Sequence, residues 1–572
     1  MARPPFLSLL LLLFAGLLFP LGARSADAPT APDWNKFVAE FTESYFAANP
    51  TFAVYSGVHR YDGQLPDWSE KGLQRVVAEL KSQRDRAIAF PDQALSLEQR
   101  FERDYLVSVV RRDLFWLDTA DDPHRNPSYY ADALDPDVYV SRDYAPLAER
   151  LSAYTRYAKH VPLALEQIKT NLRGPLAKPL IAIGKIVIGG LADFYENDVP
   201  KIFAGQLSGA AAKDFSAANS SAITAVRAFT EWLGERDRTA DAKFALGEEK
   251  FQAMILETEG VKLSVAELER IGLKDLERNQ HALEAACAQF APGKSVDEAL
   301  ILAHAHRPVG SVIQAATEQL SALRGFVAAH DLVSIPGTEE AQVKEAPAYK
   351  RWNFAYINIP GPYEKGLPSY YYVAPPDPAW PKEKQEAYVP SLASLLFTSA
   401  HEVWPGHFLQ FLHANRAPSK FGQLFVGYAF AEGWAHYTEE LMWDAGLGDG
   451  SPEMHIGQLE EALLRNVRLL SSIGLHTHGM TLAASEKLFR EQAHSDEGSA
   501  EQQARRGTFD PAYLNYTMGK LMIKKLRDDW CATRGGRIAW KDFHDQFLKY
   551  GGPPIPLVRR AMLGETDQGS LF

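Results

Sequence analysis

Apolar residues recur at intervals of three and four positions along seven long segments of this sequence, as they do on the buried face of an α-helix. These segments are residues 33–48, 73–89, 97–117, 145–172, 222–236, 265–290 and 311–329. Strand signals are fewer. The clearest is the aromatic run 368–375, which is bounded by prolines, and residues 181–189 are a second candidate. The sequence therefore predicts a mainly α-helical fold with little β-structure.

The composition is that of a large globular protein. Of the 572 residues, 46% are hydrophobic and 23% are charged, which excludes a largely disordered chain. The formal net charge of −12 argues against nucleic acid as a partner, because binding to phosphates needs a basic surface. Two cysteines are too few for a disulfide scaffold, and Cys287 and Cys531 are either paired or buried as free thiols.

The first 25 residues have the pattern of a secretory signal peptide. Arg3 precedes an apolar run at 6–18, and Ala23 and Ser25 form a small-residue cleavage site before Ala26. The apolar run is short for a membrane span, which favours cleavage over an uncleaved anchor. No cysteine lies near the cleavage site, which argues against a lipid anchor. We expect an exported protein, periplasmic or secreted, without stable membrane insertion after cleavage.

A histidine and a glutamate, His401 and Glu402, stand together in an apolar segment with helical spacing. In the His-Glu-x-x-His zinc motif, two histidines one turn apart bind the metal and the glutamate activates a water molecule. Here the next histidine is His407, which would not share a face with His401 in an unbroken helix. Pro405 and Gly406 favour a break, and looping out two residues would return His407 to the metal.

A second predicted helix carries carboxylates in apolar surroundings. Glu432, His436 and Glu439 fall on one face of this helix. A buried ionised carboxylate is costly unless it meets a cation or a metal ion. Glu432 follows His407 at a distance that suits an antiparallel helix delivering a third ligand. The alternative is an ordinary helix with Glu432 in solvent.

With these motifs the chain resembles a bacterial family known as domain of unknown function 885, which is grouped with the gluzincin metallopeptidases. The matching segments keep the order of the family and span nearly the whole chain after the predicted signal peptide. They are residues 49–53, 57–62, 65–69, 401–407, 432–439, 468–476, 516–527 and 543–551. The resemblance favours a single catalytic domain that spans residues 26–572.

The resemblance implies a large helical fold with a deep cleft and a small β-sheet beside the active-site helix, similar to angiotensin-converting enzyme, thimet oligopeptidase and carboxypeptidase Taq. Carried over residue by residue, the resemblance makes His401, His407 and Glu432 the ligands of one zinc ion. It makes Glu402 the general base. Those better-understood relatives lack the Pro405-Gly406 insertion. The insertion affects His407 most, and His413 and His436 are the competing ligands.

The same resemblance assigns four further roles. Tyr516 would stabilise the oxyanion of the tetrahedral intermediate, and His476 would donate to the oxyanion or the substrate. Tyr513 and Lys520 would bind the terminal carboxylate of a substrate. The alternative is that the tyrosines are packing residues, that Lys520 is solvated and that His476 is structural.

Two other features bear on substrate binding. Tyr371 lies in the aromatic run, which is either an edge strand that aligns an extended peptide by backbone pairing or a plain core strand. Arg465 and Arg468 share a helix face and are either carboxylate ligands or ion-pair partners at the surface.

These observations lead to three hypotheses. The first is an exported zinc metallopeptidase, a carboxypeptidase or dipeptidyl carboxypeptidase acting on short peptides, with its water activated by Glu402. The second is a non-catalytic envelope protein that binds peptides or a partner in the same cleft, although a bare binding site has no need of Glu402. The third is a zinc hydrolase of non-peptide amides or esters.

Overall fold

The computed structural model describes residues 31–351, 353–564 and 569–572. The predicted signal peptide lies outside these ranges, so its cleavage stays a prediction. Within them, no helix combines the length and the apolar character needed to cross a membrane.

The fold is mainly α-helical, as predicted, and a three-stranded sheet interrupts the helices. Before the sheet lie α1 (Ala31–Ala48), α2 (Pro50–Tyr55), α3 (Glu70–Ile88), α4 (Leu97–Leu114), α5 (Asp122–Arg125), α6 (Asp137–Ser141), α7 (Leu147–Asn171), α8 (Lys178–Val187), α9 (Gly190–Asn197), α10 (Val199–Phe203), α11 (Gly209–Arg236), α12 (Glu248–Glu259), α13 (Val265–Phe290), α14 (Val296–His304) and α15 (Val312–Ala329). The strands are β1 (Ala341–Glu345), β2 (Ala355–Asn358) and β3 (Ser369–Val373). After the sheet lie α16 (Lys382–Tyr388), α17 (Leu392–Glu402), α18 (His407–Ala414), α19 (Lys420–Leu424), α20 (Tyr428–Asp444), α21 (Pro452–Thr477), α22 (Leu482–Gln492), α23 (Glu497–Phe509), α24 (Asn515–Ala532), α25 (Trp540–Leu548) and α26 (Ile555–Leu563).

All seven segments with helical periodicity form helices, and α13 has the predicted bounds. It begins with a capping box, in which the side chains of Ser264 and Glu267 each bond to the other residue's backbone N–H. The strand candidate at 181–189 is wrong, because most of these residues belong to α8. Leu180, Ile181 and Ile183 are buried there on one helical face, and periodicity does not separate a short apolar run in a helix from one in a strand.

The aromatic run forms β3, the central strand of the sheet. It pairs in parallel with β1 and antiparallel with β2, and all five of its residues are buried. Since both edges of β3 are already paired, it has no free edge for a peptide. The core-strand alternative for Tyr371 is therefore confirmed, and the peptide-aligning alternative is wrong.

Buried apolar side chains form two large clusters, one mainly from residues 34–233 and the other mainly from 251–558. A buried ion pair between Arg142 and Glu364, at 2.7 Å, connects the helical segments before β1 with the sheet region. Cys287 and Cys531 are both buried as free thiols, which is the second of the two alternatives drawn from the sequence. The single catalytic domain stays a prediction.

The helices that carry the motif residues belong to the second cluster, where α20 packs against α24 at very short range. A Cβ atom on Gly433 would lie only 2.5 Å from the Cα atom of Gly519. The two backbones approach this closely because neither residue has a side chain, which fixes the position of the neighbouring Glu432.

Candidate metal centre

The helix carrying the first half of the motif breaks, as predicted. Helix α17 ends at Glu402 and α18 begins at His407. Between them, the N–H of Gly406 donates to the carbonyl of Ala400 at 2.9 Å, and a Cβ on Gly406 would lie 1.7 Å from the carbonyl oxygen of His401. Only glycine fits this turn. The turn brings the imidazole rings of His401 and His407 to 4.8 Å between centroids, at right angles.

Helix α20 adds the third member of the cluster. Oε2 of Glu432 lies 3.3 Å from Nε2 of His401 and 3.1 Å from Nε2 of His407. One donor atom of each residue lies within 4.8 Å of the other two. A tetrahedral zinc ion, about 2.0–2.1 Å from each donor, holds neighbouring donors roughly 3.3 Å apart. Two imidazoles and one carboxylate with this spacing fit a divalent metal ion.

The charges of the cluster are strongly coupled. Burial opposes ionisation of Glu432, but the imidazoles of His407 and His401 hold the pKa of this carboxyl well below its usual range. Burial also opposes charge on His401, yet hydrogen bonds to Glu432 and Glu439 raise the pKa of this imidazole to about 9. A metal ligand must be neutral imidazole, so metal binding displaces the proton of His401.

Glu439 orients His401 from behind. This carboxylate is fully buried, and its Oε1 lies 2.6 Å from Nδ1 of His401. It also contacts Nδ1 of His436 at 2.9 Å and Nη2 of Arg465 at 3.3 Å. With Nδ1 of His401 engaged in this way, its Nε2 faces Glu432 and His407.

The two competing ligands predicted from the sequence lie outside the cluster. Nδ1 of His436 is bonded to Glu439, not directed to the shared donor position. Nε2 of His413 lies 2.8 Å from the carbonyl oxygen of Ser334 and donates to it. The structure therefore brings together the three ligands of the original assignment.

A cavity of about 280 Å³ opens onto the cluster, and His401, Glu402 and Tyr516 contribute to its lining. The Tyr516 ring stacks on His401 at 5.9 Å between centroids, and its hydroxyl oxygen accepts a hydrogen bond from Nη2 of Arg506 at 3.2 Å. Burial raises the pKa of the Glu402 carboxyl and raises that of Tyr516 to about 12. The predicted general base and oxyanion donor thus share one cavity with His401 of the metal cluster.

The two residues assigned to a terminal carboxylate do not line this cavity. Nζ of Lys520 is fully buried and lies 3.2 Å from Asp275 and 3.4 Å from Glu440. The hydroxyl of Tyr513 donates to Oγ of Ser471 at 2.8 Å. The charge of Lys520 is neutralised inside the protein, because α24 packs it against α13 and α20.

His476 is likewise remote from the cavity lining. Its Nδ1 accepts the N–H of Leu246 at 3.2 Å, and its Nε2 donates to the carbonyl of Gly507 at 2.7 Å. Both ring nitrogens are used in fixing the end of α21, so neither is available to an oxyanion. Tyr371 is fully buried as well, with its hydroxyl 3.5 Å from Oγ of Ser399.

Two arginines of α21 are buried and not at the surface. Arg465 and Arg468 are both 5% exposed, so the alternative of ion pairs at the surface is wrong for them. Both line the cavity that Glu402 and Tyr516 share. The sequence signal for their burial was their position among apolar neighbours, in a helix that the structure buries on nearly all sides.

Fold and site together define a mainly helical protein with a buried cluster of two imidazoles and a carboxylate at a broken helix. The family model described as "Bacterial protein of unknown function (DUF885)" matches residues 50–562. The chain belongs to this family, as its motifs predicted. No curated protein matches the chain.

Two solved structures share the fold. One, from Shewanella oneidensis, is 23% identical, with a TM-score of 0.74, and the match covers 93% of this chain and 99% of that one. The other, from Colwellia psychrerythraea, is 17% identical, with a TM-score of 0.76 and coverage of 93% and 98%. Both are provisionally described as lipoproteins, the first of unknown function.

Proposed function

We propose that this protein is an exported zinc-dependent metallopeptidase of the gluzincin type. The observation that carries the proposal is the convergence of Nε2 of His401 and Nε2 of His407 on one oxygen of Glu432, with Glu402 lining the same cavity as His401. This is the donor set of a catalytic zinc site with one position open to water. The provisional description of the two structural relatives as lipoproteins supports a location in the cell envelope.

When bound, zinc would act as a Lewis acid and lower the pKa of a coordinated water. Glu402 takes the proton of the attacking water as the water oxygen bonds to the carbonyl carbon, and it passes this proton to the leaving amine as the C–N bond breaks. Burial suits Glu402 to this task because it raises the pKa of the carboxyl towards neutral pH, which makes the carboxylate a stronger base.

Tyr516 supplies the donor for the oxyanion. Its oxygen accepts from Arg506, which leaves its own hydrogen available to a substrate oxygen. Because its pKa is raised to about 12, the phenol keeps that hydrogen at neutral pH. A preorganised donor at this position stabilises charge that develops only in the transition state.

The decisive experiment combines metal analysis with product analysis. The purified protein is expected to bind one zinc ion and to cleave members of a mixed library of peptides and acyl amides. Glu402→Gln should keep the zinc and lose at least about 100-fold in hydrolysis, the range of general-base catalysis. Glu460→Gln, in the same cavity but paired with His304, is the matched control and should keep both.

Two results would contradict the proposal. One is a folded protein without stoichiometric zinc, and the other is a Glu402→Gln variant with full activity. Cleavage restricted to acyl amides or esters would instead support a zinc hydrolase of non-peptide substrates. Peptide binding without any cleavage would support the non-catalytic hypothesis.

A further inference from the structure

Three arginines surround the phenol ring of Tyr516. The guanidinium carbons of Arg465, Arg468 and Arg506 lie 6.0, 4.4 and 5.5 Å from the ring centroid. Arg465 is paired with Glu439 and with Glu461, and Arg506 is paired with Asp510. Among the residues that the structure describes, Arg468 alone of the three has no carboxylate partner.

Arg468 is nevertheless buried, at 5% exposure. Its Nε donates to Oε1 of Gln503 at 2.8 Å, which engages one of the five N–H donors of the guanidinium. Burial lowers the pKa of Arg468, because no carboxylate offsets its desolvation, but an arginine remains protonated in proteins. Burying an unpaired cation is costly, so this group is expected to have a counter-ion that arrives with a ligand.

The other charged groups of the cavity do not supply this counter-ion. Glu461 is paired with Arg465, and Glu460 is paired with His304. Asp496 accepts the N–H groups of Gly498 and Ser499 at the start of α23. Glu402 also lines the cavity, but no ion pair joins it to Arg468 among the described residues. Arg307 also lines the cavity and has no carboxylate partner among the described residues, but it is more exposed than Arg468. The positive charge beside Tyr516 therefore remains unbalanced within the described part of the chain.

Arg468 lies within reach of a short substrate held at the metal cluster. The centroid of the Tyr516 ring is 5.9 Å from the His401 ring and 4.4 Å from the Arg468 guanidinium. The two ends of the site are thus separated by no more than an extended tripeptide, roughly 10 Å. This distance allows one or two residues between a cleaved bond at the metal and a carboxylate at Arg468.

We propose that Arg468 binds the C-terminal carboxylate of the substrate and so makes the protein an exopeptidase that releases one or two residues from the end of a peptide. The inference rests on the proposed peptidase function and replaces Tyr513 and Lys520 in the role that the sequence had given them. A guanidinium suits this role because its planar donors match both oxygens of a carboxylate.

The test separates binding from turnover by using the Glu402→Gln protein loaded with zinc. Its probes are N-acetylated tripeptides of mixed sequence as free acids, the same peptides as C-terminal amides, and amides that end in aspartate. Equilibrium dialysis read by mass spectrometry gives the affinity for each set. The free acids are expected to bind roughly 10- to 100-fold more tightly than the neutral amides, since a hydrogen-bonded charge is lost with the acid.

Four variants in the Glu402→Gln background locate the effect. Arg468→Gln should abolish the preference for free acids, and Arg468→Lys should keep only part of it because it loses the fork geometry. Arg307→Gln and Arg505→Gln should keep the preference within about twofold, since their charges are better solvated. Arg505 is the matched control, an exposed arginine whose carboxylate partner is Glu501. Zinc content and melting temperature report whether each variant is folded.

Each outcome decides the inference. An Arg468→Gln variant that is folded and keeps the full preference overturns it, and if this variant does not fold, a full preference in Arg468→Lys does the same. Equal affinity of aspartate amides and free acids would overturn the assignment to the C-terminal carboxylate. If wild-type protein cleaves acids and amides equally, the exopeptidase inference fails while the peptidase proposal stands. If it neither binds nor cleaves any probe, the peptidase proposal fails with it.

Discussion

Nδ1 of His401 and Oε1 of Glu439 lie 2.6 Å apart, in a contact where both side chains are almost fully excluded from solvent. The contact fixes the rotation of the imidazole and directs its Nε2 to Glu432. Glu439 is itself held in place by His436 and Arg465. A carboxylate behind a histidine ligand is a common means of orienting the ring and increasing its basicity in metal sites.

Replacing this carboxylate should weaken metal binding without changing the ligands. Glu439→Gln is expected to reduce zinc affinity by roughly 10- to 100-fold, the usual cost of losing such a partner. The affinity can be measured by competition with a chromophoric chelator. Glu461→Gln is the matched control, because Glu461 contacts the same Arg465 but not His401. Equal losses in both variants would assign the effect to Arg465 and not to the His401 contact.

Zinc should stabilise the protein, and His407 should be required for it. A metal that binds only the folded state adds about 2.7 kcal/mol at one hundred times its dissociation constant. The expected result is a higher melting temperature with zinc, reversed by a chelator. His407→Gln should abolish this shift. His413→Gln, on the same helix but bonded to Ser334, should retain it, and a reversed pattern would make His413 the ligand.

The contact between α20 and α24 predicts a strong effect of one methyl group. A Cβ on Gly433 would meet the backbone of Gly519 at 2.5 Å, and backbone atoms on both sides cannot yield easily. Gly433→Ala is expected to lower the free energy of unfolding by about 1–3 kcal/mol, as overpacking does, and to weaken zinc binding through Glu432.

Gly234→Ala is the control for that change. Gly234 also lies inside a helix, but no atom of another described segment lies within 4 Å of the point that a Cβ would occupy, so alanine should stabilise by about 0.5–1 kcal/mol. Urea unfolding of both variants measures the two effects. A neutral Gly433→Ala variant would show that the two helices separate without cost.

Glu259 should make stability depend on pH. It lies at the end of α12, where it accepts hydrogen bonds from Nδ2 of Asn515 at 3.0 Å and from the N–H of Ala429 at 3.4 Å. Burial raises the pKa of this carboxyl to about 8 from an ordinary value of 4.5. The fold therefore favours the neutral acid. Its contribution is complete below pH 4.5 and is lost as the pH rises through 8.

Glu259→Gln keeps a neutral side chain at every pH and should remove this dependence. Relative to wild type, the variant should gain stability between pH 4.5 and 8, by on the order of a few kcal/mol, since one pKa unit corresponds to about 1.4 kcal/mol. Urea unfolding at a series of pH values measures the difference. Glu257→Gln, on the same helix and more exposed, is the control for replacing a carboxylate of α12. A flat difference for Glu259→Gln would mean that Glu259 is ionised in the fold.

Local periodicity was a good guide to the helices, because the burial of one face is written in the spacing of apolar residues. Residue type indicated the break at Pro405-Gly406, since both residues disfavour a continuous helix. Periodicity failed at 181–189, where a short apolar run fits a buried helix and a buried strand equally well.

Spacing also indicated which residues share a helix face, as for Glu432, His436 and Glu439, while the grouping of His401, His407 and Glu432 came from the resemblance to the family. It did not fix what each face would meet. Lys520 follows Tyr516 by about one turn in α24, yet its ammonium meets Asp275 and Glu440 from two other helices. His476 is likewise bonded to the backbone of distant segments.

The sequence by itself determined the helical class and the family, because these depend on local pattern and on residue type. Its motifs named His401, His407 and Glu432 as metal ligands with His413 and His436 as competitors, and the tertiary structure brings only the first three together. Only the tertiary structure decided which charges are compensated. Among the described residues, Arg465 and Lys520 meet carboxylates and Arg468 does not, a difference that depends on how α13, α20, α21 and α24 pack against one another. Ion pairing between distant segments is a property of that packing, and no spacing within a single helix encodes it.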